Sequence, residues 1–167
     1  MGIAPLPGYF EDHRTFRPIS KQAAFKTLEK AEAAGLVHMT SNIKSGHYYI
    51  CNCCGCCCGV LRSIKKWGLK DATNSHYYAR IDTETCIQCG VCRDERCQVD
   101  AIAEHHGDFA VAPDRCIGCG LCVSTCPSES ITLGHRDAED FTPVPNDEKA
   151  WFEARGRERG VDFSQFQ

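Results

Sequence analysis

The chain has 167 residues, 43% of them hydrophobic and 25% charged, with a formal net charge of −3. These figures suit one globular domain, or one domain with a small module, and a mildly acidic chain carries no electrostatic footprint for nucleic acid. No apolar run approaches the ~18 residues a membrane span needs. The opening MGIAPLPGYFEDHRTFRPIS lacks the basic start and apolar centre of a secretory signal, so a cytoplasmic location is expected. The feature outside this ordinary frame is 14 cysteines, which in a reducing compartment bind metal more often than they form disulfides.

In chain order, residues 18 to 36 predict a helix. Ser20 is placed to cap it after Pro18, Ala24, Leu28 and Ala31 share a face, and Gly35 closes it. Leu36 to Met39 and Tyr48 to Ile50 predict short strands. They lead into ICNCCGCCCGVL, which holds Cys51, Cys53, Cys54, Cys56, Cys57 and Cys58. A cubane has four iron corners, so the six cysteines cannot all serve one. Cys51, Cys54 and Cys57 make a C-x2-C-x2-C spacing with Cys53, Cys56 or Cys58 as fourth ligand; Cys51 and Cys53 with two later cysteines fit equally. The expectation is a 4Fe-4S cluster held by four of the six. The alternative is a structural zinc, or a mixed site drawing in His38 or His47. In the following GVLRSIKKWGLK, Val60, Leu61, Ile64 and Trp67 recur at helical spacing. That helix would begin against the metal site, where its N-terminal partial positive charge favours anionic sulfur. Residues 1–70 thus read as a small α+β module around a metal site, with Tyr9, Phe10 and Phe16 as candidate docking aromatics.

The remaining eight cysteines form an internal repeat. TCIQCGVCRDERC begins at Thr85 and RCIGCGLCVSTCP at Arg115. Cys86, Cys89 and Cys92 match Cys116, Cys119 and Cys122 at a constant offset, and Cys97 matches Cys126 with one extra residue before it. Such self-similarity predicts two copies of one supersecondary unit packed together. C-x2-C-x2-C-x3-C-P is the bacterial run for a 4Fe-4S cluster: three thiolates on a tight loop wrap three corners, and the fourth leads away. Gly90, Gly118 and Gly120 suit a loop whose backbone approaches the cluster closely.

Residues 80 to 134 resemble a bacterial dicluster ferredoxin. The resemblance implies that Cys86, Cys89, Cys92 and Cys126 hold one 4Fe-4S cluster, and that Cys116, Cys119, Cys122 and Cys97 hold a second. It also implies a fold of two short hairpins and two short helices in pseudo-symmetric βαβ-type halves. The overall expectation is an α+β chain with this dicluster domain at 71–140 and the cysteine-rich module before it. The first copy departs from the family pattern in its x4 spacing and in Gln98, which stands where proline follows the last cysteine of the second copy.

From Pro143 the sequence turns to a proline-bounded linker and a short charged helix. Residues 141–167 are expected to be a docking tail with Trp151, Phe152, Phe163 and Phe166 as anchors. His105, His106 and His135 are assigned no metal. No dinucleotide fingerprint, phosphate loop or nucleophile triad occurs, so the chain is expected to be non-catalytic on its own. Three clusters make a longer relay than a free carrier needs, which favours an electron-transfer subunit of a catalytic oxidoreductase. The alternatives are a free low-potential ferredoxin and, behind it, an iron–sulfur regulator, for which residues 18 to 40 offer no basic recognition helix. In size, cysteine number and the additional cysteine knot, the whole chain resembles the small iron–sulfur subunits of tungsten-dependent benzoyl-CoA reductases. That resemblance implies a tungstopterin-containing catalytic partner and a role in anaerobic aromatic degradation.

Overall fold

The computed structural model describes residues 1–3, 17–69 and 72–163. Tyr9, Phe10, Phe16 and Phe166 lie outside the described residues. Helix α1 spans Lys21–Ala33, and the Ser20 hydroxyl accepts the Ala23 N–H at 3.2 Å, as the N-cap pattern predicts. Strand β1, Val37–Met39, pairs antiparallel with β2, Cys51–Cys53. The second strand therefore lies three residues later than expected, inside the cysteine knot. Tyr48 and Ile50 are occupied by the chain start instead: Ile3 N–H donates to Tyr48 O at 2.7 Å, and Ile50 N–H to Met1 O at 2.8 Å.

Helix α2 covers Gly59–Trp67 and ends at Gly68 in the left-handed region, φ +66°. Leu61 and Ile64 are fully buried, whereas Val60 and Trp67 are exposed. The core meets the apolar stripe on its Leu61 side and leaves the other margin to solvent, so the buried face is narrower than the spacing suggests.

Four further strands follow: β3 Tyr77–Ile81, β4 Ile102–His105, β5 Asp108–Val111 and β6 Ile131–His135. β4 and β5 form a hairpin across His106-Gly107, with φ of +55° and +93°. Two successive left-handed residues are the I′ turn that matches strand twist, and histidine is among the non-glycine residues that enter this region most readily. β3 and β6 pair antiparallel from Tyr77 opposite His135 to Ile81 opposite Ile131, closing the ends of the segment. Only one of the two expected hairpins is thus a local one. The expected helices are short: a single π-helical turn at Cys92–Arg96 in the first copy, and hydrogen-bonded turns after Gly120 in the second. The extra residue of the first copy lies between Cys92 and Cys97, and a π turn is how a helical turn absorbs one inserted residue.

Two buried clusters hold these parts together. Ala79, Ile102, Phe109 and Ile131 form one with Cys92 and Cys122. The other joins Val37, Leu61 and Ile64 to Val99, Ala101 and Leu121, so the N-terminal segment and the repeat share a core. The C-terminal segment is tied back as well. Lys44 N–H donates to Pro145 O at 2.9 Å and Ser45 N–H to Asn146 O at 3.0 Å, while Asn74 and Thr142 exchange two bonds. Helix α3, Glu148–Arg159, starts at an Asp147 cap. Trp151, Phe152 and Phe163 are half-buried, and the Phe152 and Phe163 rings lie 5.9 Å apart. Of the residues expected as anchors, Trp151, Phe152 and Phe163 thus stack on one another within the tail. No helix among the described residues is long and apolar enough to cross a membrane.

Candidate metal centres

All fourteen cysteines carry free thiols. Cys86, Cys89, Cys92 and Cys126 line one concavity, walled by Phe109 and Ile131. The fourth cysteine of the second motif thus meets the first three of the first. Cys97 and Cys116 both pack against the two buried clusters, and the charges of Cys97, Cys116 and Cys119 all act on Cys122. Four soft thiol donors converging beside apolar walls fit the donor set of a 4Fe-4S cubane.

The loops are shaped for close backbone approach. Gln88 and Gly118 have φ of +57° and +63°, Gly90 and Gly120 both +79°, and Asp100 and Glu129 both +53°. These left-handed residues recur at the same offsets as the cysteines, so the repeat in sequence is a repeat in backbone conformation. Turns of this kind present successive N–H groups to one side as an anion-binding concavity. A Cβ on Gly118 would lie 2.3 Å from Tyr77 O, so glycine is required there by packing as well as by φ. N–H groups also reach the sulfurs: Ala79 donates to Cys116 Sγ at 3.3 Å and Ala101 to Cys97 Sγ at 3.1 Å.

Crowding sets the protonation of the metal-free thiols. Burial, then the neighbouring charges of Cys119, Cys116 and Cys97, pushes Cys122 up to about 12. Burial likewise raises Cys92. Cys126 goes the other way: against the upward push of burial, the hydroxyls of Ser130 and Ser128 and nearby N–H groups bring it down to about 7. Crowded, buried thiols such as Cys122 keep their protons, which metal binding must expel.

The knot divides in two. Cys54, Cys56 and Cys57 bring their sulfurs within 4.8 Å of one another on the outer side, with Cys54 and Cys56 at 2.9 Å. Cys51, Cys53 and Cys58 form a second group, in which Cys53 hydrogen-bonds to both neighbours. Cys53 and Cys58 pack against the shared core. Burial, then the Cys58 contact, pushes Cys53 up to about 12, while the Cys56 hydrogen bond lowers Cys54 to about 7. The Cys51, Cys54, Cys57 set suggested by spacing is therefore split between the two groups. The reason is local: β2 alternates its residues, and the 54–58 turn, closed by Cys58 N–H to Cys54 O at 3.2 Å, sends the middle cysteines outward. Among the histidines considered for a mixed site, His38 Nδ1 lies 2.7 Å from Asn52 Oδ1 and His47 Nδ1 3.2 Å from Thr40 Oγ1.

Sequence reasoning missed the contribution of Gln98. Its Oε1 accepts the Gly55 N–H at 2.8 Å, and its carbonyl sits where a Cβ on Gly55 would lie only 2.3 Å away. The available signal was the absence of proline after Cys97.

Residues 79–133 match the family model of a 4Fe-4S dicluster domain. A ferredoxin of Alicyclobacillus acidocaldarius is 41% identical over 59 residues, which cover 35% of this chain and 67% of the relative. Ferredoxin 7Fe of Hydrogenibacillus schlegelii is 39% identical over 67 residues, 39% of this chain and 78% of that protein. The pyruvate synthase subunit PorD of Methanocaldococcus jannaschii is 38% identical over 53 residues, 31% and 60% of the respective chains. Of two further relatives the chain spans 30% and 54%. All these likenesses concern about a third of the chain.

Proposed function

Because the chain belongs to the ferredoxins of the 4Fe-4S dicluster type, we propose that it is the electron-transfer subunit of an oxidoreductase complex. Iron–sulfur electron transfer follows from the family; the subunit role is the added step. When bound, a cubane ligated by four thiolates supplies one-electron redox chemistry and presents no open iron to a substrate. The residues assigned to hold the two clusters are Cys86, Cys89, Cys92 with Cys126, and Cys116, Cys119, Cys122 with Cys97. The concavity lined by the first four is the observation that supports this assignment. Phe109 and Ile131 form apolar walls beside the first four, Ser128 and Ser130 donate to Cys126, and the N–H groups of Ala79 and Ala101 donate to Cys116 and Cys97. On this reading the segment 77–135 acts as two strand–turn–strand halves joined by β3–β6 and β4–β5 pairing.

The knot at Cys51–Cys58 is assigned a third metal centre, a 4Fe-4S cluster by preference and zinc in its place. That centre, together with the segments flanking the dicluster domain, favours a fixed complex in the cytoplasm over a free carrier. PorD is named as a subunit of pyruvate synthase, which supports an oxidoreductase partner for a related domain. The finer assignment, a tungstopterin partner of benzoyl-CoA reductase type, rests on chain size and on the knot. The relatives named simply ferredoxin favour the second reading, a free carrier.

The deciding experiment is anaerobic purification with metal and sulfide analysis. The proposal expects about 12 iron and 12 sulfide per chain and a co-purifying catalytic subunit. Eight iron with one zinc moves the knot to zinc. A monomer that reduces unrelated acceptors equally well establishes the free carrier.

A further inference from the structure

The extra residue in the first motif changes what the segment after the π turn touches. Arg96 is buried, and its guanidinium donates to Glu32 O at 2.8 Å and Ala33 O at 3.3 Å, at the end of α1, and to Leu121 O in the second motif. Gln98 receives the Gly55 N–H at the centre of the knot. Asp100 pairs with Lys65 of α2 at 3.1 Å. Arg115 spans Lys65 O and Val99 O at 3.1 and 3.2 Å. Residues 96–100 thus hold α1, the knot and α2, and Cys97 stands in their middle. Below them, Cys53 and Cys58 of the knot and Cys97 and Cys116 of the repeat pack on one buried cluster. Cys86 and Cys126 pack only on the other cluster, around Phe109 and Ile131, which Cys97 and Cys116 also touch. In the second copy the residue matching Gln98 is Pro127, which has no side-chain acceptor for such a contact.

We propose that residues 96–100 are a clamp coupling the thiolate-bound metal of the knot to the Cys97, Cys116, Cys119, Cys122 site, so that the two sites respond together. The Cys86, Cys89, Cys92, Cys126 site touches the coupled site only through the other cluster and through the Cys97 N–H bond to Cys92 O at 3.0 Å, and it feels Gln98 less. Gln98 is a positioning residue: it fixes the Cys54–Cys58 turn against the backbone that carries Cys97, and through that backbone each site feels the state of the other. Partners standing behind metal ligands commonly govern metal affinity by about 10–100-fold, and Gln98 stands behind both sets. The departure from the family pattern at this residue thereby acquires a role. The inference rests on the reading of the knot as a metal centre.

The test uses the full chain, purified anaerobically, with Gln98→Ala, Gln98→Pro and Gln98→Glu. Cys97 is extended, φ −76° and ψ 103°, outside the helical region that a following proline disfavours, and Pro127 stands at the matching place in the second copy, so Gln98→Pro removes the acceptor. Metal retention against a chelator and the electron paramagnetic resonance of the reduced protein are read, with signals assigned through Cys89→Ser and Cys119→Ser. The expected result is about 10-fold weaker retention of the knot metal in the Ala and Pro variants. The Cys97-site signal shifts in both, the Cys86-site signal shifts less, and Gln98→Glu restores the wild-type pattern. Unchanged retention and signals overturn the clamp while leaving the third centre standing. Equal shifts at both repeat sites also overturn it. Wild-type protein with eight iron and no other metal overturns the third centre itself, and the clamp with it.

Discussion

At the scale of single residues, the loops depend on a few backbone positions that admit little change. Gly118→Ala would drive a Cβ into Tyr77 O, 2.3 Å away, at a φ of +63°. Overpacking against backbone together with left-handed strain should cost about 2–4 kcal/mol, read as a lowered denaturation midpoint. Gln88 holds the matching conformation in the first copy without being glycine. Gln88→Gly should therefore raise stability by up to about 1 kcal/mol, less what its contact to Asp108 contributes. The thiols make a pH prediction for the metal-free chain. Cys122 keeps its proton to about pH 12 when folded and loses it near 9.0 when unfolded, so its contribution to stability falls as pH rises across that window. Cys126 acts in the opposite sense: its thiolate adds stability above pH 9.0, and this is lost as pH falls through about 7. Urea titrations between pH 6 and 11 would show both arms. A flat profile would mean that these thiols are equally perturbed in the unfolded chain.

At the scale of elements, the π turn at Cys92–Arg96 and helix α2 matter most. Arg96→Ala would leave the carbonyls of Glu32, Ala33 and Leu121 without this donor. A loss of about 2–3 kcal/mol is expected, with faster hydrogen exchange concentrated in the last turn of α1. Uniformly faster exchange across the chain would instead mean that Arg96 supports the whole fold. In α2, Leu61 is fully buried in the core shared with Val99 and Leu121. Leu61→Ala should cost about 2–5 kcal/mol, whereas Trp67→Ala, at 62% exposure, should change the denaturation midpoint little. The contrast checks which margin of the helical stripe faces the core.

At the scale of the molecule, the C-terminal segment has become part of the fold. Pro145 O and Asn146 O accept from residues 44 and 45, and Tyr48 reaches Glu148 at 3.4 Å. Removing residues 143–167 should therefore loosen the approach to the knot, and, on the proposed subunit role, weaken the hold on a partner. If the knot carries the proposed third centre, the expected outcome is a truncated chain that keeps about eight iron at the two repeat sites and holds the knot metal less tightly. Metal analysis after gel filtration checks this. Full retention at the knot, together with loss of the partner, would restore the picture of a tail that serves docking alone.

The division between sequence and structure follows from the range of the interactions. The repeat of Cys86 to Cys97 in Cys116 to Cys126, the Ser20 cap, the helix before Gly68 and the chemistry of the clustered thiols are local matters. They are set by spacing and by the conformational freedom of neighbouring residues, so they are legible without a fold. The left-handed backbone positions recur at the cysteine offsets, because the same loop is made twice. Meetings between distant residues were decided only by tertiary packing. The strand at 51–53 was displaced because the chain start took the bonds of Tyr48 and Ile50. The knot was split into two thiol groups by strand alternation and by the turn that follows it. Gln98 became a latch because the shared core brought Gly55 to it across 43 residues of sequence. No spacing rule can specify such a contact, since it depends on how two buried surfaces fit and on nothing near either residue in the chain.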